Sequence, residues 1–359
     1  MARTVEADQA QLFTSILKGV SRSFYLSLRV LPVPLRGPIG LAYLLARAAD
    51  TLADTSGLPR DQRLNQLHRF KACLDDPENA SDCDFGRAVP PGSLANPDEA
   101  RLLSQLPQLF ALLCEQGQPD RRLIRSVVTT LSDGMVFDLQ RFPVERSGSL
   151  EALQYLEETD HYTYMVAGCV GEFWTEMSMA HSPALAHWPR QRRIREGIDF
   201  GKGLQWINIL RDLPRDLRLG RCYLPLAWLA RHGLEPTQLL DANNSDRARP
   251  LLHQGIDLAL QHLHAAQAYV LAIPRRCPRL RLAALWPLMI GLLTLEQLAL
   301  SERWLDAGVT VKVQRRQVYA LLLKSLPLVC FDTALRRWIA ASHGRINGRM
   351  RSAAYNSEH

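Results

Sequence analysis

Lysine is scarce in this chain, occurring only at positions 18, 71, 202, 312 and 324, although Lys and Arg together number 43. The cation is therefore almost always a guanidinium, and the formal net charge is +7. A modest basic excess suits phosphates or anionic lipid headgroups and selects neither by itself. The seven cysteines (73, 83, 114, 169, 222, 277 and 330) never form a Cys-x-x-Cys pair. That pattern argues against a zinc ribbon or a disulfide framework and suits a reducing cytosol. The opening ten residues lack a hydrophobic run and carry Glu6 and Asp8, so no signal peptide is read there. The most apolar stretch, Leu282 to Leu295, meets Glu296 and reads as too short to span a bilayer. No Gly-rich phosphate loop, fixed-period repeat or low-complexity tract is present.

Period-2 alternation is almost absent, and helical periodicity takes its place. Helices are predicted near 8–19, 37–56, 60–75, 98–116, 119–141, 149–181, 191–213, 248–272, 279–307, 314–326 and 330–343. Breaks fall at Leu31-Pro32-Val33-Pro34, in the Pro/Gly-rich stretch from Asp76 to Pro97, and between Gly220 and Asn244. Apolar stripes run across every loop, so the expectation is one all-α domain over 1–359, for which the resemblance given below implies a helical bundle with a central cavity. Its basic tail, 344–359, is read either as frayed or as touching lipid through Arg345, Arg349 and Arg351.

Two helices carry their polarity in an unusual way. In Gly37 to Asp54, the side chains Tyr43, Arg47, Asp50 and Asp54 recur at offsets of four, seven and eleven, which puts them on one helix face. Ile39, Leu41, Leu44, Leu45, Ala48 and Leu52 cover the remainder. A mostly apolar helix with one charged stripe implies a polar cleft, because unpaired buried charge is too costly. Gln205, Asn208, Asp212 and Asp216 repeat the arrangement, with Trp206, Ile207, Ile209 and Leu210 around them. Each stripe holds an aspartate pair one turn apart, roughly 6 Å along the axis, and each has an arginine close by (Arg47, Arg211). Such a pair suits hydrated Mg²⁺, which takes one or two carboxylates and completes its octahedron with water and substrate phosphate. Mn²⁺ accepts the same ligands. Arginine adds bidentate contacts to phosphate oxygens. One Asp-x-x-x-Asp alone is ordinarily a solvated face with intrahelical ion pairs; two of them on apolar helices favour the site. Pro214 falls inside the second pair, and a distorted last turn is expected there.

With those residues in view, the chain resembles the squalene/phytoene synthase family, the head-to-head prenyl transferases of the isoprenoid synthase fold. Ser21-Arg22-Ser23-Phe24 resembles the family's opening motif, and Tyr43 to Asp50 with Asp54 resembles its first aspartate motif. Tyr162 to Gly171, Gln205 to Asp216, and Gly220 to Pro225 complete an ordered series over about 200 residues. A looser fifth block, Val311 to Val318, and the stretch Trp286 to Ile290 resemble squalene synthases rather than phytoene synthases.

The resemblance implies two farnesyl diphosphates held on Mg²⁺ by Asp50, Asp54, Asp212 and Asp216. They condense through presqualene diphosphate and are reduced with NADPH to squalene. Tyr162 is the implied proton-transfer residue, against a plain role in the cavity wall. Ser21, Arg22, Ser23, Tyr43, Arg47, Gln205, Asn208 and Arg211 are the implied diphosphate neighbours. Lys312, Arg315 and Arg316 are the candidates for NADPH phosphates, against a basic surface loop. Phytoene synthase and presqualene diphosphate synthase are the alternatives within the family, and a non-catalytic scaffolding member is the alternative outside enzymology, disfavoured because all four aspartates are present. Ala167, Gly168 and Gly171 read as close packing. Met165, Cys169, Phe173 and Met177 read equally as a tail channel or a core stripe. Ala283 stands where the family carries an aromatic residue, with Trp286 nearby as a substitute. The expected setting is a cytoplasmic monomer in peripheral contact with a membrane, without a transmembrane segment and without a nucleic-acid partner.

Overall fold

The computed structural model describes residues 16–20, 24–55, 57–82, 85–86, 89–90, 94, 96–143, 150–309 and 311–357. It is all-α, with two compact units: Met1–Gln140 with Glu176–His181, and Arg141–Thr175 with Ser182–His359.

In the first unit, a helical stretch at 16–20 is followed by α1 (Phe24–Val30), α2 (Val33–Asp54) and α3 (Arg60–Asp75). Helix α2 starts four residues earlier than the apolar pattern suggests. Pro34 sits in its first turn, where the missing N–H would have had no helical partner anyway. Its Leu44, Leu45, Ala48 and Leu52 are fully buried, which is why the helix tolerates only one polar stripe. Arg63 Nη1 donates to the Ala53 carbonyl at 2.9 Å, near the C-terminal end of α2. The single helix expected over 98–116 is two, α4 (Pro97–Ser104) and α5 (Leu106–Glu115). The break falls at Gln105, and Pro107 sits in the first turn of α5, where its missing N–H starts a new helix more readily than it continues the old one. Helix α6 (Gln118–Arg141) follows, and Phe70 packs between Phe85 and Phe110 at ring distances of 6.0 and 5.7 Å.

In the second unit the segment expected as one helix, 149–181, is four elements. Strand β1 (Glu151–Ala152) pairs in parallel with β2 (Arg221–Cys222), Glu151 opposite Arg221. Helix α7 (Leu156–Thr163), a π-helical turn (Tyr164–Gly168) and α8 (Cys169–His181) come next. The π turn lies against α9 (Arg190–Arg218), the longest helix described. The short α10 (Leu226–Arg231) precedes α11 (Arg249–Ala272), which packs along α9. Last come α12 (Pro278–Leu300), α13 (Arg315–Leu328) and α14 (Asp332–Ser357). The tail read as frayed is thus helical as far as Ser357.

One further expectation holds on different ground, and another changes. Helix α12, at 23 residues, is long and apolar enough to cross a membrane, but 67% of its most apolar window is buried inside the protein. Its Arg281 is fully buried and donates to the carbonyls of Val270, Leu271 and Val329 and to Asp332. Cys73 is disulfide-bonded, whereas Cys114, Cys169, Cys222, Cys277 and Cys330 are free thiols.

Candidate active site

The first aspartate pair is built on the last turns of α2. Arg47, one turn before Asp50, donates one guanidinium arm to Asp50 and the other to Glu99 on α4. Glu99 went unnoticed in the sequence; its only signal was an Asn96-Pro97 helix start, with the Asn96 side chain accepting from Asp98 N–H at 3.0 Å. Tyr43 OH donates to the Val20 carbonyl at 3.2 Å, which ties the head of the stripe to the 16–20 helix. Burial foremost, then the Asp54 and Glu99 carboxylates, raise the Asp50 carboxyl to about 7 against the opposing pull of Arg47. Its side chain nonetheless keeps 38% of its surface accessible, and Asp54 is exposed. Asp50 and Glu99 thus share one guanidinium, with the Asp54 carboxylate adding to the repulsion felt by Asp50, and additional positive charge would relieve it. Among the described residues, Arg47 Nε is buried with no hydrogen-bond partner. Ser21, Arg22 and Ser23 lie outside the described residues.

The second pair lies near the end of α9. The helix runs unbroken through Pro214 to Arg218, so Asp212 and Asp216 stay one turn apart on a helix. Arg218 Nη1 donates to the Pro214 carbonyl at 2.6 Å. Arg211 grips Asp212 with two parallel bonds, Nε to Oδ1 at 2.8 Å and Nη2 to Oδ2 at 2.5 Å. That hydrogen-bonded partner, foremost, raises the already high Arg211 pKa. Asp212 keeps 42% of its side chain accessible. One turn earlier, Asn208 Nδ2 donates to Gln205 Oε1 at 3.2 Å. Lys202, a residue the sequence reading passed over, donates to both oxygens of Asp160 at 2.7 Å, joining α9 to α7.

Tyr162 is buried, its ring stacked on Tyr223 at 4.7 Å and 15°. Phe142 meets the Tyr223 ring edge-on at 5.1 Å, and Thr159 Oγ1 donates to the Tyr223 carbonyl. An aromatic wall of this kind holds the Tyr162 ring in place. Tyr164, two residues on, donates to Glu172 at 3.0 Å; burial and that bond push its hydroxyl up to about 12. Met165, Cys169, Phe173 and Met177 are all buried. Glycine lets the π turn and α8 approach α9 backbone to backbone: a Cβ on Gly171 would stand 1.8 Å from the Gly197 carbonyl oxygen, and one on Gly201 would stand 2.2 Å from that of Ala167. Trp286 donates to Ser325 Oγ at 2.9 Å and is buried with Ala283. Lys312, Arg315 and Arg316 are exposed at the start of α13, where Gln314 and Gln317 form a capping box.

Among the described residues, no group of three or more His, Cys, Asp or Glu side chains meets in a geometry that would hold a metal alone. Zinc-type sites are closed by protein ligands, whereas Mg²⁺ ordinarily takes one or two carboxylates and leaves the remainder to water and phosphate. The half-exposed Asp50 and Asp212, each with a second aspartate one turn on, fit the latter pattern.

An all-α chain with two such carboxylate stripes, each beside an arginine, has the architecture of the isoprenoid synthases. The chain belongs to the squalene/phytoene synthase family, whose profile matches residues 17–317. The bifunctional lycopene cyclase/phytoene synthase of Gibberella fujikuroi is 28% identical over 261 residues, 72% of this chain and 43% of that protein. That of Blakeslea trispora is 29% identical over 255 residues, 70% of this chain and 38% of the relative. The chain therefore spans about two fifths of the length of these curated relatives. Among solved structures, TcSQS in complex with E5700 superposes with a TM-score of 0.75 at 20% identity, covering 97% of this chain and 98% of the other. A dehydrosqualene synthase gives 0.64 at 20% identity over 91% and 98%, and a squalene synthase from Alicyclobacillus acidocaldarius 0.55 at 19% over 86% and 96%. At these identities the likeness concerns the fold.

Proposed function

We propose that the chain condenses two farnesyl diphosphates head to head into presqualene diphosphate and reduces that intermediate with NADPH to squalene. The observation that carries this reading is the duplicated motif: an aspartate pair one helical turn apart, held beside an arginine, on both α2 and α9. When bound, Mg²⁺ neutralises charge on a departing diphosphate and so lowers the barrier to carbon–oxygen cleavage. Asp50 and Asp54, and Asp212 and Asp216, are the residues that would hold it. The arginines would then be drawn from carboxylate to phosphate oxygen, a bidentate acceptor of the same geometry. Tyr162, fixed by its stack on Tyr223, would relay the proton lost as the cyclopropane closes, its hydroxyl passing its own proton to the released diphosphate as it accepts the new one. The buried apolar side chains near it would exclude water from a carbocation. Lys312, Arg315 and Arg316 would bind the NADPH phosphates.

A second reading, condensation of two geranylgeranyl diphosphates to phytoene, draws on the names of the relatives at 28 and 29% identity. Incubation of the purified chain with Mg²⁺ and each prenyl diphosphate, with and without NADPH, separates the two. Squalene from farnesyl diphosphate only with NADPH, and presqualene diphosphate without it, is the expected result. A C40 product from geranylgeranyl diphosphate establishes the second reading. Presqualene diphosphate alone, with NADPH present, removes the reductive step, and no condensation product from either substrate contradicts both.

A further inference from the structure

Helix α13 (Arg315–Leu328) is apolar on two opposite faces. One packs inward: Leu321 is buried, and Ser325 accepts the Trp286 indole N–H. The other is bare. Tyr319, Leu323 and Leu326, at 61, 69 and 53% exposure, recur at offsets of four and seven and so share one stripe. Phe331, 62% exposed, follows three residues beyond the helix. Large apolar side chains exposed singly need no explanation, but a contiguous set of them marks a binding surface.

The charge around the stripe says what covers it. Between Val311 and Arg337 the chain carries Lys312, Arg315, Arg316, Lys324, Arg336 and Arg337. Its one acidic side chain in that span, Asp332, is engaged by Arg275 and Arg281. We propose that this face docks on an anionic lipid bilayer, with Tyr319, Leu323, Leu326 and Phe331 entering the headgroup–acyl boundary and the basic side chains meeting the phosphates. Helices that lie in a membrane surface have this build, apolar on the lipid side and basic at the flanks. A second copy of the chain is a poorer occupant, because it would set one basic rim against another. The surface lies ahead of the tail expected to touch lipid, 344–359, whose Arg345 is paired with Glu296 at 3.0 Å. The inference shares Lys312, Arg315 and Arg316 with the NADPH reading above, but the apolar stripe with Lys324, Arg336 and Arg337 carries it without them.

Co-sedimentation of the full chain with vesicles tests it. The wild-type chain should pellet with phosphatidylcholine vesicles containing about 30% phosphatidylglycerol and stay in solution with phosphatidylcholine alone, and high salt should weaken the binding. Leu323→Glu with Leu326→Glu should lower partitioning about tenfold. Its melting temperature and its turnover of detergent-dispersed substrate should be unchanged. Leu323→Gln, a milder change, should give a smaller loss in the same direction. Equal pelleting of wild type and double variant, or wild-type binding indifferent to phosphatidylglycerol, overturns the proposal. So does a wild-type dimer in solution that the double variant converts to monomer.

Discussion

Arg47 shows how a single side chain organises the first carboxylate stripe. It lies between Asp50 on its own helix and Glu99 on α4, so its guanidinium is already shaped for a pair of oxygens before any phosphate arrives. Aspartate spacing made Asp50 and Asp54 legible in the sequence, because a helix period is a local property. Glu99 was not legible: 52 residues separate it from Arg47, and only the packing of α4 against α2 brings them together. A different residue sets an acid-side limit on stability. His343 is buried, stacked on His264 at 4.6 Å, and its imidazole is pushed down to about 4 by burial and then by that neighbour. The fold therefore favours the neutral ring. Its contribution is complete above the ordinary value of 6.5 and is lost as pH falls from there through about 4, where the unfolded chain binds the proton first. Urea unfolding at pH 7 and 4.5 should show His343→Phe losing about 1–2 kcal/mol less than wild type across that interval. Equal losses would mean that the ring is not held neutral.

At the scale of elements, the helices were legible wherever one apolar face is buried along its whole length, as in α3, α6 and α11. Misreadings cluster where tertiary packing overrides local preference. Pro214 predicted a distorted last turn, yet α9 continues through it, with Leu213 and Leu217 fully buried on either side. The stretch 149–181 reads as one helix because its apolar spacing barely changes, but β1 pairs with β2 and the π turn shifts the phase before α8. That turn faces α9, where glycines on both sides bring the backbones together. Gly171→Ala should cost about 2–4 kcal/mol in urea unfolding, because the new methyl would overlap the Gly197 carbonyl. Gly344→Ala, in a helix where nothing lies within 4 Å of the added methyl, should instead stabilise by up to about 1 kcal/mol. Similar effects at the two positions would contradict the close approach.

For the whole molecule, the two aspartate pairs are the common thread between sequence, fold and family. The motifs around them span most of the stretch, residues 17–317, over which the family profile matches. Product choice was less legible, since no charged motif of fixed spacing reports the length of the prenyl chain. The proposed function requires each aspartate pair to contribute to an Mg²⁺-dependent ionisation. Its most direct test is diphosphate release from farnesyl diphosphate by wild type, Asp50→Asn and Asp212→Asn, each shown to be folded by its melting curve. The account predicts a loss of about a hundredfold or more for each single substitution. Near wild-type release by either folded variant would contradict it.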